Sequence, residues 1–428
     1  MTNENGTSGT LGSFARRARG LGAMLPGLLL GGALAGCEPP PGPDQTDEVE
    51  QSDDTELHQQ ALTAGLRRAL PAVAYDGSGK VLVVWEDDEG SPGTSHIFMR
   101  LFSNTGKAVT SAKRLTSSPL ADTAASVSWG GSRFLVTYTS AFSAFDNDVK
   151  AIEVNTSGTV LKTNSVAISN ANEGHASSAW LSSLSLFAIS YHVGDSIRLR
   201  YYKPSTGVVG SEIFVAPSGY GPVIAAGSGS IAMAWNSPPS GGDFNENLHL
   251  FRQYLSQVNP PDLLGGPIDM GPGVFPSITY NTSTKEFGIG SVEFFFSGGT
   301  RLIGGRFGSV SATCLSPFCA INEARYRGTS SSTDHESVSI ARLGSRYVLS
   351  MDNDFGSQSG EIAFIDHVGG VVRDTMPVAR SFSWPFGSAS GSDRAFVAVN
   401  QRNNGVLDTI KGIRVKSDGT TSTFSVAP

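Results

Sequence analysis

The chain has 428 residues and a formal net charge of −7, with 31 Lys and Arg against 38 Asp and Glu. That acidity is local: residues 38–60 hold eight carboxylates and no Lys or Arg, whereas residues 61–428 carry about −1. A nearly neutral body with no basic stripe excludes a nucleic-acid partner.

In chain order, the first element is a leader. Arg16, Arg17 and Arg19 precede a mostly apolar stretch, residues 20–36, that ends in small residues at Leu34-Ala35-Gly36-Cys37. These features resemble the lipobox of bacterial lipoprotein signal peptides. The resemblance implies cleavage before Cys37, a diacylglyceryl group (with palmitate-type chains) on its thiol, and acylation of the new amine. Each buried methylene contributes about 0.8 kcal/mol, so several acyl chains hold a protein on a membrane without a spanning helix. The expected location is therefore the cell envelope, outside the cytoplasm, anchored to the inner or outer membrane.

After Cys37 comes Glu-Pro-Pro-Pro-Gly-Pro and then the acidic run. Such a segment cannot bury enough apolar surface to offset its ordering entropy, so a disordered, self-repelling tether is expected over 37–60. At about 3.1 Å per residue it reaches up to roughly 70 Å. The domain plan is thus a leader over 1–36, the lipidated tether over 37–60 and one folded domain over 61–428.

Within 61–428 one pattern recurs about every fifty residues, and no long helical period is present. Each copy opens with a short strand and a Gly/Ser turn, as in Ala-Val-Ala-Tyr-Asp-Gly (72–77), Ser-Val-Ser-Trp-Gly-Gly (126–131) and Ser-Ile-Thr-Tyr-Asn-Thr (277–282). The aligned position runs Tyr75, Trp129, Trp180, Ala226, Tyr280, Ile340, Ser390. A second strand follows with alternation, as in Val-Leu-Val-Val-Trp (81–85) and Phe-Leu-Val-Thr-Tyr (134–138). A third strand, such as 97–102 or 149–154, and a short fourth close the unit. Strand–turn–strand repeats of this length predict an all-β chain forming a single β-propeller of seven four-stranded blades. The copies resemble the repeats of secreted bacterial propeller-like proteins. Blade 1 carries that signature best, in Pro71-Ala72-Val73-Ala74 and Leu82-Val83-Val84-Trp85-Glu86-Asp87. The strand-2 aromatics Trp85, Tyr138, Tyr191 and Trp235 are expected to pack between blades. Residues 57–64 read as a spare strand that would complete the last blade.

Of three cysteines, Cys37 goes to lipid. Cys314 and Cys319, five apart around a Pro-containing turn, are expected to form a local disulfide worth about 2 kcal/mol. A two-cysteine metal half-site has no histidine at matching spacing.

The sequence contains no His-Glu-x-x-His, nucleophile elbow or phosphate loop. In a propeller, the loops from strand 2 to 3 and from strand 4 to the next strand 1 emerge on one face. There the first set brings Asp87, Asp146, Asp148, Asp243, Asp352 and Asp354, and the second brings His175 and His335 near the channel mouth. Phe142, Phe145 and Phe244 stand in the longer loops of that face. Oxygen-rich loops suit a polar ligand or a structural Ca²⁺, and loop aromatics suit a sugar or peptide. No other cofactor is expected. Asp and Asn also populate turns simply by bonding nearby amides.

No catalytic residue is assigned. The expected function is a membrane-anchored, non-enzymatic binding or scaffold propeller for a protein, peptide or glycan. The alternative is a polysaccharide hydrolase or lyase using the Asp-rich loops. Three or more buried titratable groups converging in one pocket would count against the first.

Overall fold

The computed structural model describes residues 68–91, 93–143, 146–204, 206–227, 229–237, 247–254, 268–272, 274–297, 300–312, 321–326, 338–351, 360–366, 371–378, 387–403 and 407–427. Cys37, Phe145, Asp243, Phe244, Cys314, Cys319, His335, Asp352 and Asp354 lie outside these residues, as does the tether.

The described residues are all-β and form seven four-stranded antiparallel sheets, each from four strands consecutive in the chain and in spatial order first-second-third-fourth. The first strands of successive sheets touch one another, and the first strand of the first sheet touches the last sheet, so the ring closes. This is a β-propeller.

Its core is divided among the junctions. Seven hydrophobic clusters are each shared by two successive sheets, the last uniting Val73, Val81, Val83 and Trp85 with Phe396, Ala398, Ile410 and Val426. The second strand (Lys80–Asp87 in blade 1) explains why the repeats read as they do. Val81, Val83 and Trp85 face one neighbouring sheet while Leu82 and Val84 face the other. A strand covered on both sides has no polar parity, so these runs are continuously apolar where simple alternation was expected. Trp85, Tyr138, Tyr191 and Trp235 all sit in clusters shared with the preceding blade, as their positions predict.

A second recurring contact explains the aligned aromatic. The residue after that position in one blade is often glycine, and the next blade's aromatic seats on it. Trp180 and Phe187 cover Gly130, Tyr280 covers Gly227, and Tyr75 covers Gly391.

One device was not legible as a motif. The first strands of five blades carry a bulge, and its first residue lies in the left-handed region: Leu70 (φ 49°), Ala124 (50°), His175 (49°), Gly221 (57°) and Phe275 (52°). In each, two residues oppose one on strand 2, which is Trp85, Tyr138, Tyr191, Trp235 or Ser291. A bulge leaves a residue outside the ladder, so no N–H is needed there, and Pro71, Pro222 and Pro276 occupy its second place.

Residues 57–64, expected to complete the last blade, lie outside the described residues; the fourth strand of the last sheet is Thr421–Ala427, consecutive in the chain with the other three. Side chains make the closure: Arg100 donates to the carbonyl of Val426 at 3.0 Å, and Phe102 meets Phe424 at 4.9 Å between centroids.

Candidate functional site

The predicted common face exists. The segment leading into the third strand of one blade meets the segment leading into the first strand of the next. The amide of Asp122 donates to Ser95 O at 2.7 Å, Asn147 bridges Asn172, and the amide of Gly219 donates to Asp195 O at 2.6 Å.

Between blades 2 and 3 this apposition gathers three carboxylates. Asp146 precedes the third strand of blade 2 (Asn147–Asn155), Asp148 lies within it, and Glu173 opens the first strand of blade 3 (Glu173–Leu181). One oxygen from each lies within 4.8 Å of the others. Glu173 is only 2% exposed. Its Oε1 accepts from the Ser169 hydroxyl, while its Oε2, like Asp146 Oδ1, is buried without a hydrogen-bond partner among the described residues. Lys150 stands 3.9 Å from Asp148. Burial above all, then the charges of Asp148 and Asp146, hold the Glu173 carboxyl above its ordinary range, against the Ser169 hydrogen bond. Burial and then Asp146 raise Asp148 against the pull of Lys150. Glu173 and Asp148 thus both resist carrying charge beside Asp146.

The segments that bear these acids also display apolar side chains. Phe142, 70% exposed, is held in a tight loop whose amides at 142 and 143 donate to Asp146 O at 2.9 and 3.0 Å. Ile168, next to Ser169, is 64% exposed.

His175 occupies the bulge of blade 3, open to solvent, with its amide donating to Thr139 Oγ1 at 3.1 Å. Its ring lies 5.2 Å from that of His192, which is buried. Burial, then repulsion from His175, lowers the pKa of His192 to about 4.

Asp87 is not presented to solvent. It is 4% exposed and accepts from Arg68 Nε at 2.9 Å and from the Glu89 amide at 2.9 Å, which makes it a framework group. The structure thus brings Asp146 and Asp148 together, with Phe142 on the same loop, and puts His175 and Asp87 elsewhere. Glu173, His192, Asp122 and His96 were not singled out in the sequence. A signal existed for two of them: Asp122 and Glu173 each stand two residues before the bulge, 51 positions apart.

No protein-family model and no curated protein matches the chain. A solved structure described as one of two prolyl endopeptidases is 12% identical, covering 89% of this chain and 51% of its own, with a TM-score of 0.50. The chain therefore spans about half the length of that protein, and the likeness concerns the fold alone. A protein of unknown function from Dyadobacter fermentans is 8% identical, over 85% and 96% of the two chains, with a TM-score of 0.49. The β-propeller domain of a protease from Pyrococcus furiosus is 8% identical, over 84% and 97%, with a TM-score of 0.48.

Proposed function

We propose that this is an extracytoplasmic lipoprotein, anchored through Cys37 and the acidic tether, whose propeller is a non-enzymatic binding scaffold. Its ligand, a protein, peptide or glycan, docks on the face that carries Phe142, Asp146 and segment 168–173.

The observation that carries this reading is Phe142, which at 70% exposure buries little in the free protein, yet its backbone is held by its own amide and that of Ser143 donating to Asp146 O. A preorganised exposed aromatic, with Ile168 on the facing segment, supplies the apolar anchor that recognition requires at small entropic cost. The convergence of Asp146, Asp148 and Glu173 is the kind of feature that favours the hydrolase alternative, since a retaining glycosidase needs carboxyls about 5 Å apart. Against it, Glu173 at 2% exposure cannot be offered to a polymer, and Asp87 is consumed by Arg68.

The test is affinity capture from the bacterium's envelope extract with the full chain as bait, beside a Phe142→Ala, Ile168→Ser variant. Loss of a reproducible partner or glycan in the variant supports the binding face. Release of reducing ends from a polysaccharide panel, abolished by Asp146→Ala, would replace it with the hydrolase reading.

A further inference from the structure

The junctions between blades are copies of one construction, and comparing them shows what the second one lacks. Strand register fixes the correspondence. His96 pairs with Asp87 at the start of the third strand of blade 1, and Asp148 pairs with Ser140 at the same place in blade 2. Across each junction, Asp122 and Glu173 occupy the same place before the bulge.

At the first junction the carboxylate of Asp122, 1% exposed, also has neither oxygen hydrogen-bonded among the described residues, but it has a nitrogen group near it where the second junction has another acid. His96 Nδ1 lies 3.8 Å away, and Arg114 donates to His96 Nε2 at 2.8 Å. Arginine can only donate, so Nε2 accepts, which leaves Nδ1 as the ring nitrogen turned towards Asp122. At the third junction the corresponding residues are Ser196 and Gly219, which carry no charge. At the second, a carboxylate (Asp148) stands where His96 does, and another (Asp146) is added. Three acids converge here, with Lys150 3.9 Å from Asp148 as the neighbouring cation, and Glu173, more than nine-tenths buried, keeps one oxygen without a hydrogen-bond partner among the described residues.

We propose that the junction between blades 2 and 3 binds a divalent cation, with Asp146, Asp148 and Glu173 each giving one oxygen and Ca²⁺ the preferred ion. The donor set is all oxygen, with no His or Cys, which suits hard cations over zinc or copper. Ligands on opposite sides of Ca²⁺ stand about 4.6–5.2 Å apart, those of Mg²⁺ about 4.2 Å. Oxygens all within 4.8 Å of one another can share one ion of either kind, and Ca²⁺ is preferred because it accepts irregular oxygen geometry and loses its water more readily than Mg²⁺. The remaining coordination would come from water. The site stands whether or not the face binds a macromolecule.

The experiment is thermal melting of the full chain in detergent after chelation, then with CaCl₂ or MgCl₂, with Tb³⁺ luminescence as a direct probe. At a hundredfold excess over Kd, Ca²⁺ should raise the Tm by about 3 °C, with a smaller shift from Mg²⁺. Glu173→Gln and Asp148→Asn should each abolish the shift and the Tb³⁺ signal. Their metal-free forms should melt no lower than the metal-free wild type, because like charges have been removed. If Glu173→Gln fails to fold, Asp148, whose side chain is 13% exposed, decides alone. Identical wild-type melting in Ca²⁺ and chelator, or a full shift in the Asp148→Asn variant, overturns the proposal.

Discussion

Gly130→Ala is a sharp test of how neighbouring blades are fitted together. Gly130 ends the first strand of blade 2, and a Cβ there would lie 2.3 Å from Phe187 Cζ and 2.5 Å from Trp180 Cε3. Ordinary contact begins near 3.4 Å, so the rings must retreat by about 1 Å or the strand must shift. Phe187 has no room to retreat: it is fully buried among Leu135, Ala151 and Ile189, and Trp180 meets it edge-on at 4.8 Å. Overpacking costs about 1–3 kcal/mol, and disturbing the aromatic pair adds about 0.5–1.5 kcal/mol. Since Gly130 does not use a positive φ, alanine recovers about 0.4–1 kcal/mol by restricting the unfolded chain. The net loss is about 2–3 kcal/mol, or a Tm lowered by about 3–4 °C for a domain of this size. Near-UV circular dichroism would follow the melt and report the Trp180 environment. Gly77→Ala is the control, since its φ of +77° strains an alanine but nothing lies within 4 Å of the new Cβ. It should cost about 1 kcal/mol. Phe187→Leu in the Gly130→Ala background should recover part of the loss, giving a coupling of about 1 kcal/mol. A Gly130→Ala melt no lower than that of Gly77→Ala, or strictly additive double-mutant behaviour, would refute the reasoning.

Acid should act through His192. Its folded pKa of about 4 lies below the unfolded value near 6.5, so the unfolded chain binds the extra proton. The stability contributed by the neutral ring is full above about pH 6.5, falls as pH drops to 4 and is constant below, for a total near 3 kcal/mol. Denaturant midpoints of His192→Gln minus wild type should show that slope, and a flat difference curve would contradict it. Phe142→Ala should leave the Tm unchanged within about 1 °C while weakening capture of the envelope ligand, read by differential scanning fluorimetry and pull-down. Cys37→Ala should move the protein from the membrane to the soluble fraction on ultracentrifugation of lysed cells. Arg68→Ala should lower the Tm, because it leaves the 4%-exposed carboxylate of Asp87 without its guanidinium.

The repeat was legible because it obeys local rules. Turn glycines such as Gly106, Gly158 and Gly419 mark hairpins wherever they occur, and an apolar run such as 81–85 marks a strand, although its cover on both sides emerged only from the ring. These features determined the fold class, the positions of the first and second strands, and the face on which the Asp-rich loops emerge. The site was not legible in the same way. Asp146 and Asp148 stand out beside one another in the chain, but Glu173 is an ordinary polar letter until the loop between blades folds back to place it against them. Nor does Asp87 differ from Asp146 in sequence, although one is held by an arginine 19 residues earlier and the other is not. Hydrophobic period and turn chemistry are properties of a few neighbouring residues, so the sequence by itself carried them. Which charges meet, which are enclosed and which are left without a partner depend on the register between strands of different blades, and only the closed ring decided that.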